Sequence, residues 1–342
     1  MFDFKKPLIL VVDDEPSNLA VMRETLGDDY RLVYAKDGAG ALVAAEKHNP
    51  ALILLDIQLP DIDGYDVCNE LKKNPNTEHI PVIFVTAMRD ELNEQIGLDI
   101  GAVDYITKPL SPAVVRARVR IHLSLVKAEK LEESYRDAIY MLGEAGHYND
   151  SDTDIHIWRI AAYSMRLADE CGWDFEASQL LGLAAPMHDT GKIGIPDAIL
   201  RKPDKLNHDE WMVMKTHSAM GHKILSRSSA PVFKMAAEIA LCHHEKWDGN
   251  GYPNGLAGED IPEPARIVAI ADVFDALTMD RPYKKAWSIE DSFAEIKKGS
   301  GSHFEPRLVD IFERIFPDIL RIKAQWDTKK TNFGSTYAES PR

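Results

Sequence analysis

Two adjacent pairs, His188-Asp189 and His243-His244, are the sharpest chemical signals in this sequence. Imidazole and carboxylate together suit first-row transition metals better than magnesium alone. Neighbours on a helix point about 100° apart, so each pair can serve two adjoining ions or opposite sides of one cluster. His156, His217 and Asp272 add three more groups of the same kind, and nine of the twelve histidines follow residue 140. Seven candidate ligands exceed the four of a structural zinc site. A site with two or more ions is therefore expected. Two ions roughly 4 Å apart activate water and stabilise the attacking and leaving oxygens of phosphoester displacement. A phosphodiester is the substrate class that fits.

A second constellation lies near the N-terminus. Asp13 and Asp14 follow one apolar run (PLILVV), and Asp56 follows another (ALILL). Clustered carboxylate oxygens suit Mg²⁺. Thr86 closes a third run and Lys108 stands before Pro109 after a fourth. Mg²⁺ and Lys108 would neutralise an incoming phosphoryl group while Asp56 attacks it.

The elements that must position these groups differ between the two parts of the chain. Pro7–Val12, Arg31–Ala35, Ala51–Leu55, Val82–Val85 and Val103–Ile106 read as strands. Ser17–Leu26, Gly38–Lys47, Gly64–Lys73, Asp90–Gly97 and Ser111–Leu123 read as the helices between and after them. This alternation predicts an α/β doubly wound, five-stranded parallel sheet, with its functional groups at the C-terminal strand ends. The last helix has no stop signal: from Pro112 to Leu142 no internal Gly or Pro interrupts it. Ile121, Leu125, Ala128, Leu131, Tyr135, Ala138 and Leu142 keep a spacing of three and four, a coiled-coil-like seam suited to a homodimer. Residues 143–325 lack strand alternation and read as all-α. The expected division is 1–124 for the sheet domain, 125–145 for a helical linker and 146–325 for the helical domain. Residues 326–342, polar after Trp326, read as a flexible tail.

Composition narrows the function further. The formal net charge is −15, and no long basic block offers the cationic face that duplex DNA requires. No apolar run approaches the roughly 20 residues of a membrane span. The opening MFDFKKPLILVVDDEP reads as a buried strand with an acidic end rather than a signal peptide, so a cytoplasmic location is expected. Cys68, Cys171 and Cys242 lie far apart with no CxxC, which fits a reduced compartment without disulfides.

These residues carry two resemblances. VVDDE, LLDIQLPDIDGYD, VTA and DYITKP resemble the receiver domains of two-component response regulators. That implies phosphorylation of Asp56 by a histidine kinase. It also implies Mg²⁺ held by Asp14, Asp56 and the Gln58 carbonyl with Asp13 in support, and a switch pair of Thr86 and Tyr105. HDTGKIGIPDAIL, MKTHSAMGH, HHEKWDGNGYPNGLAGEDIP, RIVAIADVFDALT and RPYKK resemble the HD-GYP phosphodiesterases. This implies hydrolysis of cyclic di-GMP to pGpG or on to GMP. The implied ligands of an iron- or manganese-type cluster are His156, His188, Asp189, His217, His243, His244 and Asp272. Lys192 matches a lysine that reaches the scissile phosphate, Arg281 and Lys284 match residues that grip substrate phosphates, and Gly251-Tyr252-Pro253 matches the signature loop. One departure stands out: where family members with a third metal carry Glu, this chain has Asp152, one methylene shorter. Two ions are expected, with Asp152 the candidate ligand of a third. A cyclic dinucleotide sensor, or an enzyme for another cyclic dinucleotide, are the alternatives. Cys242 and Trp247 read as packing residues, and His147, His208, His222 and His303 match no metal position.

Overall fold

The computed structural model describes residues 6–87, 97–147, 155–279 and 285–336. The chain divides into two compact units, Met1–Glu133 and Ser134–Arg342. The division falls inside a helix, Pro112–His147, rather than at its start.

The first unit is a five-stranded parallel sheet: β1 (Leu8–Val12), β2 (Arg31–Ala35), β3 (Leu52–Asp56), β4 (Val82–Thr86) and β5 (Asp104–Thr107), in the order β2-β1-β3-β4-β5. The continuous apolar runs of β3 and β4 are buried at every position, as a parallel sheet covered on both faces requires. One core layer sets Leu10, Ile53 and Phe84 against α2 (Gly38–His48) and α3 (Gly64–Lys73). The opposite layer sets Ile9, Leu54 and Ile83 against α1 (Pro16–Leu26) and against Val115 and Val119 of α4 (Pro112–His147). Asp37 and Asp63 cap α2 and α3 by accepting from backbone N–H groups of the first turn. The expected helix Asp90–Gly97 lies outside the described residues except for Gly97.

The second unit is helical. Its core joins Ile139 of α4 to residues of α5 (Ile155–Glu170), α6 (Phe175–Ala184), α8 (His208–Leu225), α9 (Pro231–Cys242), α10 (Glu263–Leu277) and α12 (Pro306–Arg314). A short α7 (Asp197–Leu200) precedes α8, and α11 (Ile289–Lys298) follows α10. Of the expected polar tail 326–342, residues 326–336 belong to a helix, α13 (Phe316–Thr336), and 337–342 lie outside the described residues. Three contacts explain its persistence beyond Trp326. The Trp326 ring stacks on Trp158 at 6.0 Å and 11°, and Asp327 accepts from buried Arg159 at 3.1 Å and from Lys323 at 2.8 Å. No Gly or Pro interrupts the segment from there until Gly334.

The seam of α4 is exposed along its middle, at Ile121, Leu125, Leu131 and Tyr135. Among the described residues, no helix is long and apolar enough to cross a membrane.

Candidate metal centre

His188 and Asp189 do not share a regular helix. His188 ends one 3-10 turn (Ala185–Met187), and Asp189 stands between it and a second (Thr190–Gly194). The tight path depends on Gly191. A Cβ there would lie 1.9 Å from the His217 carbonyl oxygen and 2.5 Å from the Gly221 nitrogen. Only a glycine lets this turn press against α8 and bring Asp189 to His217. His243 caps the C-terminus of α9, with His244 next, while His156 and Asp272 come from α5 and α10.

The seven ligands expected from the sequence converge. One group brings together Asp189, His217, His243 and His244, and another His156, His188 and Asp272; in each, one ligand atom per residue lies within 4.8 Å of all the others. Asp189 joins the two. Its Oδ1 faces His217 Nε2 at 3.3 Å and His243 Nε2 at 3.7 Å, and its Oδ2 faces His188 Nε2 at 3.2 Å. Asp272 Oδ1 lies 3.6 Å from His156 Nε2 and 3.9 Å from His188 Nε2.

The far side of each ring explains why Nε2 faces inward. Nδ1 of His188 donates to the Ala185 carbonyl at 2.9 Å, Nδ1 of His217 to Met214 at 2.7 Å, and Nδ1 of His243 to Ile239 at 3.0 Å. A carbonyl only accepts, so the proton sits on Nδ1 and the Nε2 lone pair is left for the cluster. Buried atoms with no hydrogen-bond partner among the described residues include His243 Nε2 and Asp189 Oδ1. Orphaned acceptors are costly unless a cation completes them. The residues thus fit a divalent pair.

The electrostatics point the same way. Burial would lower the His188 pKa, but Asp189 and Asp272 raise it to about 9, so the two carboxylates draw positive charge to this position. Burial and the charge of His243 push His217 down to about 4, and burial holds His244 well below its ordinary value. Burial would raise Asp189, but Lys192 and His188 bring it well below the carboxylate range. A cation would replace a proton at His188, and it would find His217, His244 and Asp189 held toward their deprotonated forms.

Three supporting residues escaped the sequence reading. Asp275 is fully buried and accepts from His156 Nδ1 at 2.6 Å, from Arg159 Nε at 2.6 Å and from Arg159 Nη2 at 2.8 Å. Arg159 is also fully buried. Burial would raise the Asp275 pKa, but the hydrogen bonds from Arg159 and His156 bring it to about 2. Both follow ligands at i+3, Arg159 after His156 and Asp275 after Asp272, which was the available signal. The third is Glu245, which accepts from Asn254 N at 2.7 Å and Leu256 N at 3.0 Å and so ties down the Gly251-Tyr252-Pro253 loop. A Cβ on Gly251 would lie 2.3 Å from the Lys246 nitrogen, so this glycine serves loop closure. Tyr252 stacks on His244 at 4.7 Å and 28°.

Lys192 places Nζ 2.7 Å from Asp189 Oδ2. It also lines an open cleft of about 470 Å³ with Met141, Glu144, Ile193 and Leu200. Cys242 is core, and Trp247 lies under Arg266 at 5.7 Å. Asp152, Arg281 and Lys284 lie outside the described residues.

In the first unit, Asp13, Asp14 and Asp56 form the other acidic cluster. Lys108 Nζ lies 2.6 Å from Asp56 Oδ2 and 3.0 Å from Asp13 Oδ2. Burial raises the Asp56 carboxyl above its ordinary value, against the lowering effect of Lys108. Thr86 is buried at the end of β4, and Tyr105 is half-buried on β5.

A doubly wound sheet with a carboxylate cluster at its strand ends, in one chain with a helical unit that carries a histidine–aspartate centre, defines a two-part protein of hydrolase type. The comparisons agree with that class. Residues 9–120 match the response regulator receiver domain and residues 129–308 match the HD domain. A probable cyclic di-GMP phosphodiesterase of Vibrio cholerae is 39% identical over 93% of this chain and 80% of its own length. The cyclic di-GMP phosphodiesterase response regulator RpfG of Xanthomonas campestris is 36% identical over 95% of this chain and 92% of its own. A 3′3′-cGAMP-specific phosphodiesterase of Vibrio cholerae is 43% identical, over 57% of this chain and 37% of its own. The chain belongs to the family of response regulators that carry an HD domain.

Proposed function

We propose that this chain is a cyclic di-GMP phosphodiesterase whose activity is controlled by phosphorylation of Asp56. The observation that carries the reading is Asp189, which turns one carboxylate oxygen to His217 and His243 and the other to His188. A ligand shared between two ions needs that disposition. His156, His188 and Asp272 would hold one ion, and His217, His243 and His244 the other, with Asp189 common to both. Five imidazoles and two carboxylates suit iron or manganese. When bound, the ions supply Lewis acidity and activated water.

The chain's own residues do the rest. Lys192 presents a fixed positive charge beside Asp189, where a scissile phosphate would sit. Burial keeps the Tyr252 pKa above its ordinary value, so its hydroxyl remains a donor suited to a phosphate oxygen. Arg281 and Lys284 would neutralise the remaining phosphate charge, which the acidic chain otherwise disfavours. Asp152 would help to hold a third ion; without one, hydrolysis would slow after pGpG. The similarity to a 3′3′-cGAMP-specific enzyme supports a second reading, with the hybrid dinucleotide as substrate.

In the receiver unit, Mg²⁺ at Asp13, Asp14 and Asp56 would accompany phosphoryl transfer from a histidine kinase, and Lys108 would pair with the phosphate. Thr86 and Tyr105 would reorient with it, biasing a two-state element. Helix α4 would pass the change on, and its exposed seam would join two copies in the cytoplasm.

The test uses the full chain reloaded with Fe(II) or Mn(II) under reducing conditions. Cyclic di-GMP and 3′3′-cGAMP are offered separately, with products resolved by chromatography. Turnover of cyclic di-GMP to pGpG is expected. Turnover of 3′3′-cGAMP alone would favour the second reading, and no turnover with any metal would defeat both. For the control step, Asp56→Ala and a phosphate mimic should differ in activity or oligomeric state, and identity in both would reject the coupling.

A further inference from the structure

A row of aromatic faces leads from the ligand cluster to solvent. His244 stacks on Tyr252, and Tyr252 meets Trp211 edge to face at 6.3 Å and 78°. Trp211 is 43% exposed, a large apolar surface left in water. Lys215, one turn further along α8, holds its ammonium 5.8 Å from the Trp211 ring centroid and 5.4 Å from that of Tyr252. The i,i+4 spacing puts Trp211 and Lys215 on one face of α8. The capping box of Asn207 and Glu210 fixes the first turn of the helix, from His208 to Trp211, so the indole stands on a rigid element.

We infer that Trp211 and Lys215 form a nucleotide seat beside the metal centre, Trp211 stacking on a purine ring and Lys215 pairing with a phosphate oxygen. The inference rests on the phosphodiesterase reading and names the substrate-side residues of that site. The scissile phosphate must reach the ligand cluster, and the base follows it one sugar away. Trp211 lies one ring, that of Tyr252, away from His244 and His217. Every base offers a π-face, so stacking accepts guanine and adenine alike, and a neighbouring cation strengthens it. The exposed Met212 and Val213 alongside would equally suit a protein partner. The nucleotide is favoured because Lys215 and the ligand rings border the indole.

The test compares the metal-loaded full chain with Trp211→Ala, Trp211→Phe and Lys215→Gln. The readouts are kcat and KM for cyclic di-GMP, the inhibition constants of GMP and inorganic phosphate, and metal content. Trp211→Ala should raise KM and the GMP inhibition constant by roughly 5- to 100-fold. Its kcat, metal content and phosphate inhibition should stay unchanged, and Trp211→Phe should recover most of the loss. Lys215→Gln should raise KM and weaken its salt dependence. An unchanged KM and GMP inhibition constant in Trp211→Ala, with wild type active, overturns the seat and leaves the phosphodiesterase reading standing. If wild type is inactive, GMP titration followed by tryptophan fluorescence still decides. Quenching that Trp211→Phe abolishes supports the seat, and quenching that survives, or none in wild type, rejects it.

Discussion

The substitution Asp275→Asn removes one charge and swaps one acceptor for a donor. The carboxylate accepts three hydrogen bonds, two from Arg159 and one from His156, at 2.6–2.8 Å. Oδ1 accepts from Arg159 Nε, and Oδ2 from both Arg159 Nη2 and His156 Nδ1, so an asparagine NH₂ in either orientation opposes an Arg159 donor. Arg159 is completely buried, with Asp327 as its other carboxylate partner. Breaking a buried pair from one side costs about 3–5 kcal/mol. In a unit of this size each kcal/mol moves Tm by roughly 2–4 °C, so a fall of roughly 6–20 °C follows. The change also loosens the Nδ1 anchor of His156, and loss of such outer partners weakens metal affinity roughly 10- to 100-fold. The assay is calorimetry of the metal-free full chain together with metal content at graded chelator concentrations. The transition of the helical unit should fall and metal should leave at lower chelator concentration. Wild-type melting and wild-type metal retention in the Asp275→Asn chain would refute the reasoning.

Gly191→Ala should lower stability by more than the roughly 1–3 kcal/mol of ordinary overpacking, because the new methyl would meet backbone atoms of α8, and metal retention should fall with it. His303, packed on Phe304, is held near a pKa of about 4 by burial and by Lys246. Its unfolded form protonates first, so its contribution to stability is intact above about pH 6.5 and is lost as pH falls toward 4. His303→Gln in metal-free protein should therefore flatten the acid limb in urea titrations between those values; an unchanged limb would count against the burial. Burial pushes Cys68 and Cys171 up to about 11 and Cys242 up to about 12. Iodoacetamide at about pH 8 should leave all three unmodified in native protein and label all three after denaturation, as mass spectrometry would read.

Much of this was legible before the fold was known. The apolar runs ending in Asp13, Asp56 and Thr86 marked strands whose C-terminal ends gather function. The adjacent ligand pairs signalled more than one ion. Tertiary support was harder to read. Asp275 lies in the apolar run IVAIADVFDAL, where no local feature distinguishes it from a solvated acid. Its value depends on Arg159 from a helix more than a hundred residues earlier. Polar composition after Trp326 suggests a mobile tail, yet at its start Trp326 and Asp327 find Trp158 and Arg159, and such long-range partners leave no local periodicity. The 3-10 path around His188 and Asp189 likewise reflects packing of Gly191 against α8 rather than any propensity of the HDTGK segment.

The convergence of seven ligands around one shared carboxylate is best tested by anomalous diffraction from crystals of the metal-loaded chain, collected at the iron and manganese edges. Two peaks are expected in the helical unit, on opposite sides of the Asp189 carboxylate, one beside His156, His188 and Asp272 and the other beside His217, His243 and His244. A single peak, or none with these side chains turned apart, would contradict the account.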